Sequence, residues 1–198
     1  MKYIMVNKGV VKTMKRKVLK LKNGQSMILR EAVPEDAEAM ITFVNQVAGE
    51  SDNLTFGPGE FAVTLDQEKS ILAEFQQGLN QLFLIGEIDG EIVGNLTFRG
   101  GHRPRVAHVG EFGISVLKKY WGLGIGKYLL EYLIDWAREV GFIYKINLRV
   151  KEDNEGAIQL YRKMGFREEG RLTRDFCIDG RYYDSIAMGL QIDPEENK

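Results

Sequence analysis

The sequence is poor in cysteine, histidine and long hydrophobic runs, and each scarcity excludes a class of protein. Cys177 is the only cysteine, so the chain cannot form an internal disulfide or a cysteine-rich metal site. The two histidines, His102 and His108, are too few for a multi-histidine metal centre. No apolar stretch reaches the roughly 18 residues of a membrane-spanning helix, and no signal peptide is evident at the N-terminus. We therefore expect a cytoplasmic protein that uses no metal and no membrane.

A strong net charge is also lacking. The formal charge is −1, which gives no overall field to attract nucleic acid or an anionic membrane. Basic residues gather at the N-terminus, and we interpret residues 1–16 as a basic extension. Its lysines form either a solvated edge, which we favour, or an arm that contacts nucleic acid. Residues 17–198 are long enough for one domain with its own core.

The chain contains alternating strand and helix patterns, without repeats or a linker. Asn23-Gly24 and Asp89-Gly90 are tight-turn pairs that predict hairpins. Pro34 in a first helical turn, with Gly49 as the end, predicts a helix between them. The other patterns predict helices at 66–77, 125–140 and 154–164, and strands at 17–22, 27–30, 81–88, 91–98, 106–116, 144–150, 166–171 and 182–190.

A glycine-rich stretch, YWGLGIGKYLL at residues 120–130, leads into the third predicted helix. It fails the P-loop pattern, because Trp121 stands where the first glycine belongs and Tyr128 where Ser or Thr belongs. It fails the dinucleotide fingerprint too, since the third glycine would fall at Lys127. Small residues and a helix N-terminus nevertheless favour a bound anion. The alternative is a tight turn between strand and helix.

A second motif resolves part of this ambiguity. The stretch VKEDNEGAIQLYRKMGF, residues 150–166, places an Asn at a helix start and LYxxxGF at its end. With VxxxxWGLGIG from Val116, it resembles the GNAT superfamily of N-acetyltransferases over residues 27–190. The resemblance implies an α/β (α+β) fold: a single GNAT-like domain whose central mixed, mostly antiparallel twisted sheet is flanked by helices. The strand at 17–22 would be an extra N-terminal strand.

The resemblance also implies acetyl-CoA as cosubstrate. Asn154 would contact it, and a strand segment would lie beside its pantetheine arm: Ile114, Ser115 and Val116. Backbone N–H groups of the glycine loop would bind its pyrophosphate: Gly122, Leu123, Gly124, Ile125, Gly126 and Lys127. Relatives often have Arg or Gln where this chain has Trp121, which leaves any side-chain contact there open.

Acetyl transfer to an amine needs an acid for the departing thiolate, a base and a polarised carbonyl. By resemblance Tyr161 is the candidate acid, although an aromatic at helical spacing usually only packs. The backbone N–H of Ile114 is the candidate donor to the carbonyl. Some relatives use a Glu where this chain has Arg149, so we take Glu111 as the candidate base, with a solvated or salt-bridged Glu as the alternative. His108 is a further alternative.

Cys177 has no histidine nearby in the sequence, so we expect a small buried side chain and direct transfer in a ternary complex rather than an acetyl-enzyme. The acceptor is expected to be a small-molecule amine or a protein N-terminus. Acidic residues of the loop at 50–63 suit a polyamine or a peptide N-terminus, whereas arginines near 171–181 suit an amino-acid carboxylate. A non-catalytic acyl-CoA-binding or sensing module and a nucleotide-binding protein are the alternative functions.

A homodimer is expected from an aromatic and apolar segment beside a sheet edge that is predicted to be exposed. The residues of this segment are Tyr182, Tyr183, Ile186 and Met188.

Overall fold

The computed structural model describes residues 16–193, which form a single sheet flanked by helices. The strands are β1 Lys17–Lys20, β2 Ser26–Glu31, β3 Gln81–Ile88, β4 Glu91–Gly100, β5 Val109–Val116, β6 Lys145–Lys151, β7 Arg167–Ile178 and β8 Arg181–Gln191. The helices are α1 Ala37–Ala48, α2 Leu65–Gln77, α3 Ile125–Val140 and α4 Glu155–Lys163. Short 3₁₀ turns, Pro34–Asp36 and Lys118–Tyr120, precede α1 and follow β5.

Local sequence signals explain where these elements begin and end. Asp89 and Gly90 have φ values of 49° and 83°, the left-handed conformation that a two-residue hairpin turn between β3 and β4 requires. Helix α2 starts with a capping box, in which the Thr64 hydroxyl accepts from the Gln67 N–H at 3.2 Å and the Gln67 side chain accepts from the Thr64 N–H. These turns and caps fix where each strand and helix enters the sheet.

Two hydrophobic cores cover the two faces of the sheet. On one face lies α3, whose spacing of three and four residues predicts a buried stripe of Ile125, Leu129, Leu133, Trp136 and Val140. The first four are buried, and Val140 is partly buried. On the other face, α1 and α2 pack over β3 and β4 around Met40, Phe43, Leu72, Phe75, Phe83 and Ile85. The sheet is therefore the middle layer of an α/β sandwich.

The strand order is β1-β2-β3-β4-β5-β6-β8-β7, and among the described strands β5 and β6 alone pair in parallel. Their ladder is short: Val109, Gly110 and Glu111 pair with residues 145–147, and no pairing follows. Both strands run on, β5 to Val116 and β6 to Lys151. The sheet therefore opens into a gap between the C-terminal halves of β5 and β6.

The fold predicted from the sequence is confirmed, including the mixed sheet and the extra N-terminal strand β1. Several element boundaries differ by one to seven residues, and those of β5 and β7 have a clear structural reason. Strand β5 begins at Val109 rather than 106, because residues 101–108 form a loop. Strand β7 extends to Ile178 rather than 171, with its pairing to β8 shifting between Leu172 and Phe176. The basic extension predicted for residues 1–16 lies outside the described residues except for Arg16.

A helix that crosses a membrane must be long and apolar, and the four helices can be compared with that requirement. Within residues 16–193, no helix is long and apolar enough to cross a lipid bilayer.

Candidate functional site

A groove of about 1930 Å³ runs through the gap between β5 and β6. Its lining comes from the glycine-rich turn before α3, the start of α4, the loop at 51–61, helices α1 and α2, and residues 175–179 of the β7–β8 hairpin. The groove thus brings together the sequence-predicted site residues, which are Glu111, Ile114, Ser115, Val116, Gly122, Gly124, Ile125, Gly126, Lys127, Asn154 and Tyr161; Leu123 lies within the same loop.

Strand β5 presents backbone groups to this gap. The Leu117 N–H donates to the Val93 carbonyl on β4 at 3.0 Å. Because backbone groups of a strand alternate in direction, those of Val116, Ile114 and Phe112 point away from β4 and into the gap. Ser115 points its backbone groups toward β4. An extended ligand in the gap can therefore pair with Ile114 as a neighbouring strand would.

Trp121 has a structural contact that the sequence did not indicate. Its indole N–H donates to the Val116 carbonyl at 2.7 Å, while about half of the side chain (49%) stays exposed. Among the backbone groups of β5 that point into the gap, the Val116 carbonyl therefore already accepts a hydrogen bond within the protein. The departure from the family pattern at Trp121 links the end of β5 to the glycine loop.

The glycine loop forms a concave row of backbone donors. Gly122 and Gly124 have φ values of 78° and 98°, and Gly124 is the N-cap of α3. Within residues 16–193, none of the six N–H groups from residue 122 to residue 127 has a hydrogen-bond partner. Such donors at a helix N-terminus fit a phosphate or pyrophosphate. Lys127 is exposed and forms an ion pair with Glu131 at 2.8 Å.

Asn154 begins α4 and also lines the groove. Its side-chain oxygen accepts from the Ala157 N–H at 3.3 Å, so it is the N-cap of the helix. Among the described residues, the amide nitrogen of this side chain has no hydrogen-bond partner, so it can donate to a ligand. The resemblance to the family implied the contact with a ligand, and the structure adds the N-cap hydrogen bond.

Tyr161 packs in the core and also reaches the groove. Its ring lies edge-on to Phe112 and Phe166, with centroid separations of 5.8 and 6.0 Å. Burial raises the pKa of the phenol well above its usual value. The hydroxyl therefore stays protonated at neutral pH, as a proton donor must, and the packing role that the sequence left open holds beside it.

Glu111 and Arg149 meet across the point where β5 and β6 diverge. The Arg149 Nε donates to Glu111 Oε1 at 3.2 Å, and Asp175 lies 3.7 Å from the same guanidinium. Asp175 in turn accepts from the buried Ser185 hydroxyl at 2.5 Å. Glu111 is thus a salt-bridged strand residue, the alternative left open above. As a base it would have to weaken this ion pair when it takes a proton.

The expectation of a buried Cys177 is wrong. This cysteine is exposed and lines the groove, because the longer β7 carries it past the register shift to the groove rim.

His108 lies in the turn before β5, with its ring 6.3 Å from that of Tyr144. It is not among the residues that line the groove.

Sequence reasoning missed Glu68, a carboxylate in the apolar stripe of α2. Glu68 is 3% exposed, lines the groove and shares a helix face with Ile71, Leu72 and Phe75. Burial raises the pKa of its carboxyl group. The burial of Glu68 could have been predicted from its spacing in the sequence. It precedes Ile71, Leu72 and Phe75 by three, four and seven positions, which places it on the same, buried face of the helix.

We expect Glu68→Gln to raise the melting temperature at about pH 8 and to raise it less at about pH 5. The pKa of Glu68 is higher in the folded state than in the unfolded state. Its contribution to the free energy of unfolding is therefore fully present below the ordinary pKa of a glutamate, and it is lost as the pH rises through the raised pKa. The amide of the variant does not titrate and escapes that loss. Calorimetry checks this. Asp66→Asn, which replaces an exposed carboxylate on the same helix, is the control, and an equal effect of Glu68→Gln at both pH values would contradict the expectation.

Comparison with known sequences matches residues 52–166 to the model of the acetyltransferase (GNAT) family. Among curated relatives, an L-amino acid N-acetyltransferase of Escherichia coli is 35% identical over 56% of this chain and 67% of its own length. A spermidine N(1)-acetyltransferase of the same organism is 35% identical over 52% of this chain. The match spans only about half (54%) of that relative's length.

Solved structures give the same result for the fold. An acetyltransferase of the GNAT family from Streptococcus pneumoniae superposes with a TM-score of 0.82 and 33% identity, covering 84% of this chain and 99% of its own. A Salmonella typhimurium protein solved with its cofactor acetyl-CoA superposes with a TM-score of 0.74 at 24% identity, covering 87% of this chain and 96% of its own. By its family match and its fold, this chain belongs to the acetyltransferase (GNAT) family of enzymes.

Proposed function

We propose that this protein transfers the acetyl group of acetyl-CoA to a primary amine, directly and within a ternary complex. One observation carries the proposal: the unpaired backbone donors of residues 122–127 lie at one end of a gap into which Ile114 points its backbone groups. The first feature fits a pyrophosphate and the second fits the amides of a pantetheine arm. The cofactor in the Salmonella fold relative supports the same ligand.

The residues around the gap supply what the transfer requires. A bound acetyl-CoA supplies the thioester carbonyl. The Ile114 N–H is aimed into the gap, where it can donate to that oxygen as charge develops. The amine nitrogen forms the new C–N bond while the C–S bond breaks, and the protonated Tyr161 hydroxyl gives its proton to the departing sulfur. The amine loses its proton to Glu111, directly or through water.

The function is tested by incubating the purified protein with acetyl-CoA and a panel of amines that includes amino acids, diamines and a peptide with a free N-terminus. Release of CoA above the no-amine rate, matched by N-acetylated product, is the expected result. Binding of acetyl-CoA without turnover of any amine would favour the acyl-CoA-binding module instead. A thermal shift with ATP and none with CoA would favour a nucleotide-binding protein.

Glu111→Gln tests the base. We expect kcat to fall near neutral pH and to recover in part at higher pH, because more of the amine is then already unprotonated. The pH–rate profile of kcat measures this, with Glu38→Gln as a control that removes an exposed carboxylate of α1 outside the groove. An unchanged profile would reject Glu111 as the base and assign proton removal to a water chain.

The comparisons leave the acceptor within a broad class. The two Escherichia coli relatives are named for L-amino acids and for spermidine, which are both small amines. A primary amine is therefore the acceptor class of the proposal. The cytoplasm is the proposed compartment, because a chain with one cysteine suits a reducing environment.

The proposal includes a homodimer. Strand β7 is an edge of the sheet, and Tyr182 beside it is 59% exposed. The other members of the predicted segment contribute less, because Met188 is buried and Lys151 covers the Tyr183 ring at 3.9 Å. Light scattering at working concentration should give twice the chain mass of 22.5 kDa, and a monomer mass would reject the dimer.

A further inference from the structure

Glu68 is a buried acidic side chain that the transfer chemistry above does not use. Its exposed fraction is 3%, and within residues 16–193 its carboxylate has no hydrogen bond or ion pair, although its oxygens keep some access to the groove. Removing most of the water around a carboxylate without supplying a partner is unfavourable. A binding site is one setting in which such a group is retained, because its partner then arrives with the ligand.

The groove that Glu68 lines has an aromatic wall. Phe56 and Phe61 lie with ring centroids 6.1 Å apart, and Phe75 and Phe83 lie edge-to-face at 5.2 Å. All four rings line the same groove as Glu68, and Phe75 lies seven residues after Glu68 on α2. Aromatic faces attract both hydrocarbon chains and cations. This wall therefore suits an apolar chain that ends in a cation.

The two arginines that line the groove, Arg99 and Arg149, are already paired with acidic residues. Arg99 donates to Glu74 at 2.8 Å, and Arg149 pairs with Glu111 and Asp175. An acceptor with a carboxylate would have to compete for these cations. An acceptor with a second ammonium would meet a carboxylate that has no competing partner. The charge arrangement thus favours a second positive charge on the acceptor.

We propose that Glu68 binds the second, non-reacting ammonium group of the acceptor, so that linear diamines and polyamines are the preferred substrates. This inference rests on the acetyltransferase function proposed above. Selectivity follows because a monoamine of the same length would leave Glu68 buried without a partner. Glu68 is thus a specificity-determining residue that sets the acceptor class.

The test compares 1,5-diaminopentane with pentylamine, and L-leucine as an amino acid, in steady-state kinetics. The wild type should prefer the diamine. Glu68→Gln should lower its kcat/KM by at least about 30-fold, mainly through KM, because a buried charge pair loses one partner. Its kcat/KM for pentylamine should change little. Asp66→Asn, which removes an exposed carboxylate from the same helix, should retain the diamine preference.

Several results would overturn the inference. They are an equal loss for diamine and monoamine in Glu68→Gln, an unchanged diamine preference, or a wild-type preference for L-leucine. Any of the three, with amines still acetylated, would leave the proposed function standing while removing this role of Glu68.

A binding measurement keeps the two proposals separable. Calorimetric titration of 1,5-diaminopentane into protein saturated with CoA should give binding to the wild type and much weaker binding to Glu68→Gln. That result without turnover of any amine would support the Glu68 site and reject acetyl transfer. Failure of the wild type to bind the diamine would overturn the inference directly. An unchanged affinity for CoA shows that the variant is folded.

Discussion

Replacing Tyr161 with phenylalanine is expected to lower kcat about 10²-fold, which is the usual contribution of a general acid. The substitution deletes only the hydroxyl, so the ring contacts with Phe112 and Phe166 remain. Affinity for acetyl-CoA should change little, because its proposed contacts come from β5 and the glycine loop. Steady-state kinetics with the amine found in the panel, together with a CoA titration, measures both quantities.

Tyr128→Phe is the matched control. It also deletes a tyrosine hydroxyl, one that donates to the Lys20 carbonyl at 2.9 Å outside the groove. This control should retain kcat, although its stability can fall by about 1 kcal/mol with the lost hydrogen bond. If Tyr161→Phe kept kcat but lost affinity for acetyl-CoA, Tyr161 would be a cofactor contact rather than the acid.

Gly124→Val should abolish the thermal stabilisation by CoA. Gly124 has a φ of 98° at the N-cap of α3, inside the row of unpaired donors. A branched side chain there strains the backbone and projects beside the donors that should meet the pyrophosphate. At a CoA concentration about 100-fold above the Kd, the wild-type melting temperature should rise by roughly 5–10 °C. The variant should show no rise.

Gly141→Val separates backbone strain from loss of the ligand site. Gly141 is the C-cap of α3, also left-handed with a φ of 71°, and it lies about 26 Å away along the helix. Both variants should melt earlier than the wild type, because both place a β-branched residue at positive φ. Gly141→Val alone should keep the stabilisation by CoA. Equal CoA shifts in the two variants would contradict pyrophosphate binding by this loop.

Local patterns predicted most of the fold because they act over a few residues. The turn pairs Asn23-Gly24 and Asp89-Gly90, the start at Pro34 and the stripe of α3 each need only neighbouring residues. Strand β7 was predicted too short because its last residues pair with β8 only after a register shift near Arg174, where φ is 55°. Sequence alone does not encode such a shift in a readable pattern.

Site residues that belong to a local sequence motif could be predicted, whereas contacts that depend on the packing of distant elements could not. The glycine loop and Tyr161 belong to sequence motifs, and the structure brings them to one groove. The indole bond from Trp121, the ion pair between Glu111 and Arg149, and the burial of Glu68 depend on elements far apart in the chain. The exposure of Cys177 likewise follows from the length of β7, which local composition did not reveal.

Cys177 gives a direct alternative to test, because an exposed thiol in the groove could in principle take the acetyl group first. Direct transfer requires no such step, and the geometry of β5 aims the Ile114 N–H, the proposed donor to the thioester carbonyl, into the gap. The two routes differ in whether the protein itself ever carries the acetyl group during turnover.

A single-turnover experiment with acetyl-labelled acetyl-CoA and a reactive amine tests the central claim most directly. The reaction is quenched over time, and the label is counted in the amine product, in the protein and in free acetate. Direct transfer predicts label only in the N-acetylated amine, in step with released CoA, and none on the protein at any time. Label that passes through the protein, or that appears only as acetate, would contradict the account.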